Sequence, residues 1–305
     1  MGAGGVGGYF GGLLAKAGED VWLVARGQHL RAMREHGLKV RSLAGDFTIP
    51  VKATDEPKEI DDIELVLFCV KTYDTEEALA KLAPAVSDDT VILPLQNGVE
   101  SADRIGKALG YDRVLGGLAY IESFIAAPGV IEQRSQIRKI EFGELDGSKS
   151  ERAKKVFEVF TRARIDCQLR TDIKKAIWEK LVWIAAGGGM TAVTRSTLGE
   201  VLGFPPTREM FVSVMREVEA VSLAMGIRMD SDIVERTLKF AQGLDPCMKT
   251  SMLRDVECGN RLEIDAINGA VVRLGAKHSV LTPVNTFIYN VLKLEDEKNK
   301  VHRKV

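Results

Sequence analysis

The apolar positions follow two rhythms. In the first half, short unbroken apolar runs alternate with amphipathic stretches. Residues 21–25, 65–70, 90–95 and 114–119 have the length and composition of strands buried on both faces of a parallel sheet. Between them, helical spacing is predicted over 6–17, 28–36, 75–82, 101–109 and 150–162, with Gly18 and Gly37 as stops. Period-two alternation over 38–42 and 47–51, around Ala44-Gly45-Asp46, predicts a small hairpin. Residues 125–142, turning at Pro128-Gly129, read as antiparallel additions, and 166–170 as a last strand.

From Thr171-Asp172 onward the pattern is helical throughout, with Asp172 as the expected cap of a helix over 172–186. Pro205-Pro206 breaks the chain before helices over 207–225 and 231–242. Another starts at Thr250-Ser251, and a closing helix begins at 281–286. The tail 295–305, rich in both charges, is expected to be solvated or frayed. Strand–helix alternation followed by helices alone gives an α/β class, with a Rossmann-like domain over 1–170 and an all-α domain over 171–305.

The chemistry begins at the first residues. Gly2, Gly4 and Gly7 fit G-x-G-x-x-G ahead of a helix. In a dinucleotide site the first glycine makes the tight turn, the second admits the pyrophosphate, and the third lets helix and strand approach. Backbone N–H groups of Gly2, Gly4, Gly5, Val6 and Gly7 then stand at a helix N-terminus, where the dipole favours an anion. The fold expects an apolar strand before these glycines, and only Met1 precedes Gly2. That leaves three readings: a shortened chain, a misplaced start, or another segment filling the position.

Where NAD-preferring sites carry an acidic residue at the end of the second strand, this chain has Arg26. A guanidinium fork pairs with a 2′-phosphate, so NADP is expected over NAD. Lys71 and Asn97 each stand just past the end of a predicted strand, where open α/β sheets bind ligands. Each has a plainer reading, an exposed lysine and an Asn-Gly turn. On the helix after Asp172, Ile173, Ile177, Leu181 and Ile184 share one face, and Lys180 projects into the same arc. A lysine there either snorkels to water or serves a cleft, because burying an ammonium is costly.

Composition changes the picture mainly by exclusion. The 42 basic and 43 acidic residues give a net charge of −1, so bulk electrostatics offers no case for nucleic acid or an acidic membrane as partner. No apolar run of about 20 residues and no leader pattern is present, which suggests a cytoplasmic chain. The four cysteines, Cys69, Cys167, Cys247 and Cys258, form no C-x-x-C pair, and histidine is scarce, so reduced thiols and no metal site are expected. The helical half offers apolar faces that could pair two subunits in a homodimer; sequence does not separate these from core.

Taken together, these pieces resemble the ketopantoate reductase (2-dehydropantoate 2-reductase) family over nearly the whole chain. The likeness runs through Gly-Ala-Gly-Gly-Val-Gly-Gly at 2–8, Val-Ala-Arg-Gly at 24–27, Val-Lys-Thr at 70–72, Gln-Asn-Gly at 96–98 and Phe-Gly-Glu at 142–144. It continues in Trp-Glu-Lys-Leu at 178–181, Thr-Ser-Met-Leu-Arg-Asp at 250–255 and Glu-Ile-Asp-Ala-Ile-Asn-Gly at 263–269.

The resemblance implies NADPH-dependent reduction of ketopantoate to pantoate, a step of pantothenate biosynthesis. It also implies a C-terminal domain like that of 6-phosphogluconate dehydrogenase. Lys180 would be the acid. Asn97 would lie near nicotinamide and substrate, Ser251 would hold the substrate carboxylate, and Glu263 would bond the substrate hydroxyl beside Lys180. Read without the resemblance, Thr250 or Ser251 is a helix cap, and Glu263 is an acid in the first turn of a helix. The chain departs from the family at Ile184 and Gly188, one and two turns after Lys180, where asparagines are usual. That departure points to a smoother, more apolar pocket and keeps two alternatives open: a reductase of another 2-oxo acid or ketone, and an NADPH-sensing protein without turnover.

Overall fold

The computed structural model describes residues 1–302 and divides into two compact units. The first holds Met1–Gln96 and Ser101–Ile173; the second holds Asn97–Glu100 and the chain from Lys174.

The first unit contains α1 (Gly5–Lys16), β1 (Trp22–Val24), α2 (Gly27–His36), β2 (Leu38–Ser42), β3 (Phe47–Ile49), β4 (Lys52–Thr54) and β5 (Leu65–Phe68). It continues with α3 (Thr75–Leu82), β6 (Val91–Pro94), α4 (Ser101–Leu109), β7 (Gly116–Tyr120), β8 (Ser123–Ala127), β9 (Val130–Gln133), β10 (Lys139–Gly143), α5 (Glu151–Arg162) and β11 (Asp166–Leu169). β1 pairs in parallel with β4, and β5 with β6, as the unbroken apolar runs require. β10 lies between β7 (antiparallel) and β11 (parallel). A four-stranded sheet runs β3-β2-β9-β8, so the hairpin of β2 and β3 gains β9 in parallel.

Met1 and Gly2 stand where a first strand is expected. The Met1 ammonium donates to Leu67 O at 2.8 Å and its carbonyl accepts from Cys69 N at 2.8 Å, which joins it to β5. Gly2 and Ala3 N–H groups both donate to Val24 O on the β1 side. Met1, Gly2 and Ala3 thus link the two strand pairs, within the glycine turn itself.

Helix α1 is confined between two layers. A Cβ at Gly5, Gly8 or Gly12 would meet Ser123 O, Ile131 or Leu38 of the four-stranded sheet at 2.2–2.9 Å. One at Gly7 would meet Gly2 O at 2.3 Å, and one at Gly11 would meet Leu23 at 2.8 Å. Glycine lowers helix stability by about 0.5–1 kcal/mol per position, and the close approach on both faces offsets it.

The second unit consists of α6 (Ile173–Thr194), α7 (Leu198–Gly203), α8 (Pro205–Ala224), α9 (Ile233–Gln242), α10 (Ser251–Glu257), α11 (Asn268–Lys277) and α12 (Pro283–His302). Its core joins Leu181, Val182 and Ala185 of α6 with Phe211, Met215 and Val218 of α8, Val271 of α11 and Ile288 of α12.

Three expectations need correction. Helix α6 does not stop near residue 186 but continues through Gly187-Gly188-Gly189 to Thr194. At Gly189 a Cβ would lie 3.0 Å from Asn268 Nδ2 and 2.9 Å from Ile288, so packing requires the glycine inside the helix. Glu263 is not in a helix; it opens a turn in which its carbonyl accepts from Ala266 and Ile267, and α11 begins only at Asn268. The tail from Glu295 is helical to His302, with Asp296 fully buried and accepting from Leu262 N at 2.8 Å. Residues 303–305 of that expectation lie outside the described residues.

Candidate active site

In the first unit, the turn has the three properties a pyrophosphate site needs. Gly2 adopts φ +87°, where a side chain would be strained and would strike Val70 N at 2.7 Å. Gly7 is held against Gly2 O. Gly4 differs: a Cβ there meets nothing within 4 Å, so no protein atom demands the glycine. The turn is open on this side. Gly4 is also the N-cap of α1, with no side-chain cap and no acidic residue in the first turn. The N–H groups at this end are therefore available to an anion, and the residues fit a dinucleotide.

Arg26 is the N-cap residue of α2 and is 68% exposed at its side chain. Its guanidinium donates to the Asp74 carboxylate and lies 3.6 Å from Glu77. Asp74 ends a short 3₁₀ turn, Thr72–Asp74, for which exposed Lys71 is the cap residue, so the turn that carries Lys71 also reaches Arg26. Buried Gln96 braces it. Its Nε2 donates to Val70 O at 2.8 Å and Thr75 Oγ1 at 2.9 Å, one on each side of the turn. In the sequence Gln96 stands within the Gln-Asn-Gly motif, and the signal for its bracing role is a polar residue ending an apolar run.

In the second unit, three predicted residues come together. The Lys180 ammonium donates to Asn97 Oδ1 at 3.0 Å, and Asn97 Nδ2 donates to Glu263 Oε2 at 3.2 Å. The amide is thereby oriented, with its oxygen toward the cation and its nitrogen toward the anion. Gly98, at φ +94°, lets the chain bring its backbone against Ala266; a Cβ there would sit 2.5 Å from Ala266 O. The Arg273 guanidinium donates to Glu100 at 2.6 Å and closes the segment. Burial pulls Lys180 from 10.5 down to about 8, against the opposing pull of the Glu263 charge. This lysine can lose its proton near neutrality.

Ser251 stands on a different element, exposed as the first residue of α10. Thr250 is the cap, accepting from Leu253 N at 3.2 Å, and its hydroxyl meets Thr191 Oγ1 of α6 at 2.8 Å. The cap thus fixes α10 to the helix that carries Lys180. Asn268, fully buried, donates to Ala185 O at 3.2 Å and to Asn285 Oδ1 at 2.9 Å, so it ties α11 and α12 to α6. Sequence reasoning assigned Thr191 and Asn268 no role. Among the described residues no group of three or more His, Cys, Asp or Glu could hold a metal ion, and no helix is long and apolar enough to cross a membrane.

Comparison with known proteins identifies the family. The family description "Ketopantoate reductase PanE/ApbA" matches residues 1–147, and its C-terminal counterpart matches 172–296. A 2-dehydropantoate 2-reductase of Archaeoglobus fulgidus is 33% identical over 96% of this chain and 95% of its own. One from Mesorhizobium japonicum is 31% identical over 93% and 92%. The crystal structure of a PanE/ApbA family ketopantoate reductase from Ralstonia eutropha superposes with a TM-score of 0.91 at 30% identity, covering 98% of both chains. With two family matches spanning most of its length and the glycine turn and lysine site in place, the chain belongs to the PanE/ApbA ketopantoate reductase family.

Proposed function

We propose that the protein is an NADPH-dependent 2-dehydropantoate 2-reductase that converts the ketone of ketopantoate to the secondary alcohol of pantoate. The observation that carries the reading is the hydrogen-bonded series Lys180–Asn97–Glu263, in which a lysine with a lowered pKa is oriented by an amide and balanced by a carboxylate. The two relatives above bear the same enzyme name and cover nearly the whole chain.

Gly2, Gly4, Gly5, Val6 and Gly7 hold the coenzyme pyrophosphate, Arg26 the 2′-phosphate, and Lys71 adds a second cation on the same turn as Asp74. The bound coenzyme supplies the hydride. Lys180 hydrogen-bonds the ketone oxygen and gives it a proton as the C–H bond forms, so ketone, hydride and proton sum to the alcohol. Its positive charge stabilises the developing alkoxide. Neutral Lys180 is then reprotonated from solvent. Asn97 holds the ammonium in place and lies near nicotinamide and substrate, Glu263 accepts from the substrate hydroxyl, and Ser251 donates to the carboxylate.

A second reading, reduction of another 2-oxo acid, is favoured by Ile184 and Gly188 on the lysine's own helix. The test is NADPH oxidation by purified protein with ketopantoate beside a panel of 2-oxo acids. Turnover on ketopantoate supports the first reading, and turnover confined to another acid supports the second. Bound NADPH with no turnover on any of them rejects both.

A further inference from the structure

His29, in the first turn of α2, makes two hydrogen bonds that fix its chemical state. Gly129 N–H donates to Nδ1 at 3.0 Å, so Nδ1 carries no proton. Nε2 lies 2.9 Å from Ala3 O, which can only accept, so Nε2 carries the proton. Both bonds coexist in one form alone, the neutral Nε2–H tautomer. The helix start, with its positive dipole end, also disfavours an imidazolium. Burial lowers the His29 pKa further, against the pull of its bond to Ala3.

The two anchors are themselves tied down. Gly129 closes the turn between β8 and β9, and its carbonyl accepts from Lys39 N at 2.9 Å. Ala3 lies between the first two glycines of the coenzyme turn, and its N–H donates to Val24 O at 2.8 Å. Ala3 O and Gly4 N–H belong to one planar peptide, so holding the oxygen on His29 fixes the opposite direction of the Gly4 N–H. Gly4 is the residue whose open side meets no protein atom.

We propose that His29 is a positioning residue for coenzyme binding: as a neutral Nε2–H strut between Gly129 and Ala3, it sets the Ala3–Gly4 peptide so that the N–H groups at the start of α1 are aimed before the pyrophosphate arrives. The inference rests on the reading of this turn as the coenzyme site. A preset donor array binds more tightly because less ordering remains to be done on binding. The pyrophosphate is common to both nicotinamide coenzymes, so the effect falls equally on NADPH and NADH.

The test titrates NADPH and NADH against wild type, His29→Leu and His29→Gln, and records the ¹⁵N-histidine spectrum of wild type at neutral pH. In His29→Leu, Kd and KM rise for both coenzymes by a similar factor, roughly tenfold for one lost buried bond. At saturating coenzyme kcat stays within about twofold, a split that general misfolding would not give. The spectrum shows a neutral ring protonated at Nε2. Unchanged Kd in a folded His29→Leu, beside wild type that binds, overturns the inference and leaves the coenzyme reading intact. A charged ring or an Nδ1–H tautomer in wild type overturns it even where both variants fail to fold. If wild type binds neither coenzyme, the coenzyme reading fails and the inference falls with it.

Discussion

The Lys180 ammonium donates a hydrogen bond to Asn97 Oδ1 at 3.0 Å, and the other end of the same amide donates to Glu263. A cation, a neutral amide and an anion are thus set in series. Burial lowers the Lys180 pKa, and the Glu263 charge opposes that shift and leaves the group titrating at about 8.

The pH dependence follows with its sign. The reductive step needs protonated Lys180, so kcat/KM for reduction should be flat below neutrality and fall about tenfold per unit well above the pKa. With the lysine at about 8, the bend should appear near there and not at the ordinary lysine value. Oxidation of the alcohol needs the neutral amine and should rise over the same range. Lys180→Ala should lower turnover by roughly 10²–10⁴ while coenzyme affinity is kept. Retained turnover in that variant, or a profile that bends only near the ordinary lysine value, would remove Lys180 as the acid.

The glycines separate folding from binding. A Cβ at Gly4 meets nothing within 4 Å, whereas one at Gly7 would lie 2.3 Å from Gly2 O. Gly4→Ala should therefore keep its Tm and lose coenzyme affinity. Gly7→Ala should lose about 1–3 kcal/mol of stability from overpacking, with binding falling as a consequence. Calorimetry with a coenzyme titration on both variants distinguishes them. Equal coenzyme affinity in wild type and Gly4→Ala would place the pyrophosphate elsewhere.

Arg26 is already engaged by Asp74, with Glu77 3.6 Å away. A 2′-phosphate bound there would compete with two carboxylates for one guanidinium. Arg26→Ala should weaken NADPH by roughly tenfold or more, the scale of a charge-assisted bond, and leave NADH nearly unchanged. Asp74→Asn should act in the opposite direction, tightening NADPH by removing a competing charge. If Arg26→Ala weakens both coenzymes equally, the guanidinium contacts something other than the 2′-phosphate.

What was legible in the sequence follows from the range of the interactions. Helix α3 and helix α4 were readable to the residue because their caps and apolar spacing are local. Lys180 stood out because a charge on an apolar helical face is a local contradiction. Glu263 reads from spacing alone as a first-turn acid, and only the resemblance sets it beside Lys180, because its side-chain partner Asn97 lies 166 residues away. The extent of α6 was hidden for a related reason. Three successive glycines read as a helix end, and the helix persists because Asn268 and Ile288 press against Gly189 from elements about 80 to 100 residues on. The acidic and basic tail reads as solvated because the backbone N–H that buried Asp296 accepts from, Leu262, lies 34 residues earlier in the chain.

Substrate choice is the last expectation the site supports. Ile184 is half-buried one turn after Lys180; Gly188 is buried a turn further, where a Cβ would touch only Met252 at 3.7 Å. Neither offers a hydrogen bond to a substrate hydroxyl. On this face nothing is left unpaired when the hydroxyl is absent, so discrimination should rest on Glu263 alone. Wild type should then favour ketopantoate over trimethylpyruvate, which is ketopantoate without its hydroxyl, by no more than the roughly tenfold in kcat/KM that one bond to Glu263 would supply. Ile184→Asn should shift the ratio toward ketopantoate by roughly tenfold or more, since the new amide is satisfied only by the hydroxylated acid. Competition between the two acids, read from product ratios, measures this directly. A ratio unmoved by Ile184→Asn would place the substrate chain away from this face of α6 and leave discrimination to Glu263.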